Sequence, residues 1–77
     1  MENNIELTKI GEKVKFFRLQ KKLTQKELAL KIGVTHEWVC KIERGKAKNI
    51  TFSLLVSISK NLDVKLSDIT HYKSLIN

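Results

Sequence analysis

Seventy-seven residues, 42% of them apolar and 30% charged, bound the chain to one small globular domain with no room for a second core. No apolar run approaches the roughly 20 residues needed to span a bilayer, and the polar opening MENNIELTKIG has no apolar stretch of the signal-peptide kind. A lone cysteine, Cys40, has no internal disulfide partner, so a reducing, cytoplasmic setting with no membrane partner is expected.

Apolar spacing is helical throughout and no proline interrupts it, so the expected fold class is all-α, with five helices. The chain reads as one domain over residues 1–77 with a core spanning 7–69. A first helix over about residues 7–22 places Leu7, Ile10, Val14 and Phe17 at spacings of three and four. Thr24 caps a second helix through the box TQKE, in which Glu27 reaches back to the cap nitrogen. Leu28, Ala29 and Ile32 form the inner face of that helix, and Gly33 ends it in a left-handed turn. Thr35 opens a third helix, stopped by Gly45. Thr51 caps a fourth, TFSLLVSISKNL, with Phe52, Leu55, Ile58 and Leu62 expected inward. A short fifth helix around LSDI sets Leu66 and Ile69 against the others.

The interval between the second and third helices is informative. Only Gly33, Val34 and Thr35 separate Ile32 from His36, and a turn this short, opening on glycine, is the connection of a helix-turn-helix. Small Ala29 permits close approach of the two helices, and Val34 plugs the turn. Charge is concentrated in the same region. From Lys13 to Lys48, eleven Lys or Arg stand against Glu27, Glu37 and Glu43, giving +8, whereas the remainder sums to −1. A basic region of this kind favours a polyanion such as nucleic acid or an anionic lipid surface.

On the third helix, at about 100° per residue, His36, Glu37, Cys40, Lys41 and Arg44 fall within one sector of roughly 140°. Val39, Ile42 and Thr35 are expected to point the other way, into the core. A polar outer stripe on a helix suits the major groove of duplex DNA, with the first turn reaching base edges.

The stretches IGEKVKFFR, LTQKELALKIGV, VCKIERG and LLVSISKNLDVKLSDI together resemble the lambda-repressor-like (Xre) helix-turn-helix family over about residues 7–69. The resemblance implies a five-helix DNA-binding domain, usually dimeric, of the kind used by phage repressors, bacterial regulators, antitoxins and restriction–modification controller proteins. The short stand-alone form and the run ERG-x-x-x-NIT look most like the controllers. Two positions depart from the family pattern: Ile50 stands where proline is frequent, and Cys40 where serine is common.

Expected base contacts are His36, Glu37, Lys41 and Arg44. Lys41 donates to guanine O6 and N7, and His36 to guanine or a phosphate. Glu37 either accepts from cytosine N4 or is a solvated charge favourable to the helix dipole. Expected backbone contacts are Thr24, Gln25, Trp38, Cys40, Lys46, Lys48 and Asn49. Of these, Gln25 resembles the family's phosphate-binding glutamine. Thr24 doubles as a cap, and Trp38 either meets a phosphate or covers the core edge. The resemblance further implies a structural ion pair between Arg18 and Glu43, joining the first helix to the third.

Leu54, Val56, Tyr72, Leu75 and Ile76 are more apolar than a monomer requires and are expected at a homodimer interface. Phe16 and Leu30 also fall outside the core stripes. His36 and Cys40 amount to half a metal site, with His71 alone near the C-terminus, so no metal or other cofactor is expected. No acid–base dyad, nucleophile motif or phosphate-cradling loop points to an enzyme. The expected function is sequence-specific recognition of double-stranded DNA by a homodimeric transcriptional regulator. An antitoxin-type protein-interaction module or a phage-type repressor is the alternative.

Overall fold

The computed structural model describes the backbone of residues 2–70 and the side chains of residues 7–70. Five helices follow in order: α1 (Glu2–Gln20), α2 (Gln25–Ile32), α3 (His36–Glu43), α4 (Phe52–Leu62) and α5 (Leu66–Thr70). The first begins earlier than its apolar stripe indicates. It also ends sooner, because Lys22 adopts a left-handed conformation (φ 60°) that turns the chain toward α2.

Threonine begins three of the helices by one mechanism. Thr24, Thr35 and Thr51 each hold extended backbone and accept a hydrogen bond from the amide three residues on, satisfying a donor that the helix start leaves free. At Thr24 the box is complete: the Glu27 amide donates to its hydroxyl at 3.0 Å, and its own amide donates to the Glu27 carboxylate at 2.8 Å. Thr35 therefore does not enter the core as the helical wheel implies. It is exposed, because capping commits its side chain to the helix end.

One apolar cluster ties the helices together. Ile10 and Val14 of α1, Leu28, Ala29 and Ile32 of α2, Val39 and Ile42 of α3, Ile58 and Leu62 of α4 and Ile69 of α5 are all buried. Phe52, expected inward, is instead 70% exposed. At about 100° per residue it lies roughly 75° from the centre of the face formed by Leu55, Ile58, Ser59 and Leu62. The first turn of α4 therefore packs on the core through Leu54 and Leu55 and leaves Phe52 in solvent.

Two glycines set how closely α1 lies against the end of α3. A Cβ on Gly11 would stand 2.2 Å from the Ile42 carbonyl oxygen and 2.9 Å from that of Glu43. Gly45 is left-handed (φ 75°), and a Cβ there would meet Thr8 at 2.9 Å. Backbone thus packs on backbone, and α3 is gripped at its C-terminal end while its opposite face stays open.

Candidate nucleic-acid interface

The segment from Gln25 to Glu43 is a helix, a short turn and a second helix. Gly33 caps α2 at φ 77°, its amide donating to the Ala29 carbonyl, and half-buried Val34 fills the turn. Val39 and Ile42 are 0% and 1% exposed, so α3 is fixed by its inner stripe. The outward stripe follows by elimination: His36, Glu37, Lys41 and Arg44 are exposed, and Cys40 is partly so. Glu37, Cys40, Lys41 and Arg44 line a shallow depression of about 270 Å³ along this face.

Residues expected beside this stripe fall into two groups. Lys46, Lys48 and Asn49 are exposed on the segment that follows α3, whereas Ala47 between them is buried at 4%. Ala47 pins the loop to the core, so its cationic neighbours project outward from a fixed backbone. Thr8, Arg44, Gly45, Lys46 and Lys48 enclose a cleft of about 500 Å³, which gathers three cations at the C-terminal end of α3. Ile50, in the position where the family often has proline, packs its side chain on the core and continues the anchoring.

At the other end of the stripe, Thr24 is exposed and engaged as a cap, and Gln25 is half-buried. Trp38 is also half-buried and packs against the core, so its ring covers the edge of the cluster beneath α3.

Arg18 and Glu43 pair as the resemblance implies. Arg18 Nε donates to Glu43 Oε2 at 2.6 Å and Nη2 to Oε1 at 3.1 Å, with both side chains nearly buried. Arg18 Nη1 also donates to the Leu23 carbonyl at 2.6 Å, joining the α1–α2 turn to the same group. Residue patterns gave no sign of what lies beyond this pair. Gln25 Nε2 donates to Glu43 Oε1 at 3.0 Å, and Gln25 Oε1 stands 3.0 Å from His36 Nε2. Gln25 and His36 are the first residues of α2 and α3, each directly after its capping threonine, and only the packing of the two helix starts brings them together.

The apolar positions expected at an interface are partly placed. Leu54 and Val56 are half-buried, Leu54 against the core, while Phe52 supplies the large exposed ring on α4. Tyr72, Leu75 and Ile76 lie outside the described residues. Phe16 and Leu30 are exposed at 53% and 83%, as their wheel positions imply, and Leu19 joins them at 55%. Among the described residues no helix is long and apolar enough to cross a membrane.

Comparison with known proteins agrees with this geometry. The profile of the helix-turn-helix family matches residues 14–69. An uncharacterized HTH-type transcriptional regulator of Methanocaldococcus jannaschii is 38% identical over 61 residues, which cover 79% of this chain and 91% of the relative. Among solved structures, the restriction–modification controller protein C.AhdI of Aeromonas hydrophila superposes with a TM-score of 0.77 at 26% identity, covering 84% of this chain and 97% of that one. The clp gene regulator ClgR of Corynebacterium glutamicum gives 0.77 at 28% identity, covering 82% and 66%. The family profile covers most of the chain and the archaeal relative matches nearly its own full length, and the chain belongs to the helix-turn-helix family.

Proposed function

We propose that the chain is a transcriptional regulator that lays the outward stripe of α3 in the major groove of double-stranded DNA. The observation that carries this reading is the exposure of His36, Glu37, Lys41 and Arg44 together on one helix, within the part of the chain that holds its entire positive excess. Lys41 and Arg44 donate to guanine edges, and Glu37 accepts from cytosine N4. Lys46, Lys48 and Asn49 neutralise or hydrogen-bond the phosphates flanking the C-terminal end of α3, while Gln25 and the start of α2 address the other strand. The regulators among its relatives and structural neighbours support the reading, and C.AhdI makes restriction–modification control its most specific form.

The active species is a homodimer. Phe52 and, about 40° round the helix from it, half-buried Val56 give α4 an apolar outer surface that a second copy would cover. Two α3 helices related by a two-fold axis would meet successive major grooves about 34–36 Å apart.

Titration against a preferred duplex, selected from a random pool, and against random duplex tests the reading. Affinity should fall steeply with salt as counterions are released. Lys41→Ala should weaken binding to the preferred duplex by about 1–3 kcal/mol while leaving random duplex nearly unaffected. Equal losses on both would remove the base-reading role from α3.

A protein-interaction function of the antitoxin kind draws support from Leu30, which is 83% exposed beside a hollow lined by Lys26, Ala29, Val34 and His36. Stoichiometric co-purification of one small protein, lost on Leu30→Lys, would favour it.

A further inference from the structure

Four side chains on three helices form a single hydrogen-bonded line, running from Arg18 through Glu43 and Gln25 to His36. The direction of each bond follows from chemistry. Glu43, bound by Arg18 on both oxygens, is a carboxylate with no hydrogen to give, so the neighbouring group on Gln25 must be its amide nitrogen. The amide oxygen then faces His36, and a carbonyl oxygen only accepts. The hydrogen of that last contact therefore resides on His36 Nε2, 3.0 Å away. A neutral imidazole carries one N–H, which leaves Nδ1 as a bare acceptor.

We infer that Glu43, acting through Gln25, holds the neutral ring of His36 in its Nε2–H form, so that His36 reads a base with an accepting Nδ1, and that protonation turns the same ring edge into a donor. This rests on the DNA-reading function proposed above and specifies how one of its residues discriminates. In the major groove the donors are adenine N6 and cytosine N4, and the acceptors are guanine N7 and O6. Neutral His36 therefore selects adenine or cytosine, and the imidazolium selects guanine. Sequence patterns alone assign His36 a donor's role; the line of hydrogen bonds reserves that role for the charged ring.

The groups around the ring are few. From α2, Lys26 borders the same hollow as His36, and Gln25 is uncharged. From α3 itself, Glu37 is the next residue and Cys40 lies one turn on; among the described residues of α1, Arg18 stands at the far end of the line. Gln25 is thus a positioning residue. Its amide nitrogen has two hydrogens and commits one to Glu43, so a phosphate contact through the other is compatible with the same orientation.

Nitrogen-15 NMR of the free protein reads the ring directly. In its neutral form His36 should show a pyrrole-type Nε2 and a pyridine-type Nδ1. Gln25→Met, which keeps length and helix preference but cannot accept, should give a mixture of both forms. Selection from randomised duplexes is run at a high and a low pH chosen from the same spectra, one with the ring neutral and one with it protonated. One position of the recovered sequence should change from adenine or cytosine to guanine, with a preference of about tenfold in each direction. His36→Gln, able to donate and accept at any pH, should abolish the change. A neutral ring protonated on Nδ1, or an identical sequence recovered at both pH values, would overturn the inference while leaving the regulator intact. Failure to enrich any sequence at either pH would overturn the underlying DNA-reading function, and the NMR spectrum would still decide the role of Gln25.

Discussion

Helices α3 and α4 begin alike and end with opposite surfaces. Each opens on a threonine with nearly the same backbone angles, φ −81° and ψ 158° at Thr35 and φ −80° and ψ 159° at Thr51. Each buries one stripe in the common core. The outward face of α3, however, is His36, Glu37, Lys41 and Arg44, whereas that of α4 includes Phe52. Local sequence thus builds the same element twice, and the difference lies in which solvent-facing chemistry is attached. A charged stripe is stable in water alone and is free to meet a polyanion. An exposed ring on a helix start gains by being covered, which on the reading proposed above is done by a second copy of the chain.

The two helices also differ in how they are fixed, and the largest expected effect concerns this. The Glu43 side chain is 3% exposed and is the shared acceptor for Arg18 and Gln25. Glu43→Ala leaves Arg18 charged, nearly buried and without its carboxylate, at a cost of about 3–5 kcal/mol. That is a large share of the stability of a domain this size, roughly 5–15 kcal/mol. Thermal unfolding should show the loss, and hydrogen exchange should rise in α3 more than in α4. Loss of DNA binding by this variant would report a loosened helix, not a missing contact.

Next in size is Gly11→Ala. Its methyl group would collide with the carbonyls of Ile42 and Glu43, and neither α1 nor α3 can yield without disturbing the core. A loss of about 1–3 kcal/mol is expected from denaturant titration. A neutral result would show that α1 can move away from α3 freely, which would remove the close backbone contact as a feature that distinguishes α3 from α4.

Phe52→Asp tests the other side of the comparison. With the ring already 70% exposed, folding should change by less than about 0.5 kcal/mol. Self-association measured by sedimentation should weaken by about tenfold or more, as expected when a central aromatic anchor is replaced by a charge. Unchanged association would move the interface away from the start of α4.

The smallest effect lies where α1 and α4 end. The ammonium of Lys21 pairs with the exposed carboxylate of Asp63, the left-handed residue that caps α4. The hydrogen bond from Lys21, and then its charge, hold the Asp63 carboxyl below its ordinary value. Because the folded-state value is the lower one, this contribution is complete above the unfolded-state value and is lost as pH falls through the depressed one. Lys21→Ala should therefore be slightly less stable than the parent at neutral pH, with the difference shrinking through the acid range and the unfolding curves converging below it.

How much of this was legible in the sequence depended on the range of the interaction. Caps at Thr24, Thr35 and Thr51, the stop at Gly33 and the inner stripes of α2 and α3 are set within four residues, and residue type and spacing disclose them. The outward stripe of α3 follows from the same periodicity. Phe52 was misplaced because it stands at the edge of the α4 stripe, where an apolar residue type reads as inward, and Thr35 because a wheel cannot register that a hydroxyl is already used as a cap. Gly11 and Ala47 carried no local signal at all, since one matters only where α1 meets the carbonyls of α3 and the other only where the loop returns to the core. The ion pair was legible by family resemblance, but its continuation to His36 required coordinates.

The outer stripe of α3 has one further consequence. Among the described residues, Glu37, Lys41 and Arg44 make no side-chain hydrogen bond or ion pair within the fold, whereas His36 is joined to Gln25. Three letters of the reading surface can therefore be rewritten by mutation at almost no cost to folding, and new sequence preferences can arise there by drift. Position 36 is tethered, and exchanging it also releases a glutamine and disturbs its carboxylate partner. A lineage of such proteins would diversify fastest at 37, 41 and 44 and would change 36 only in step with 25.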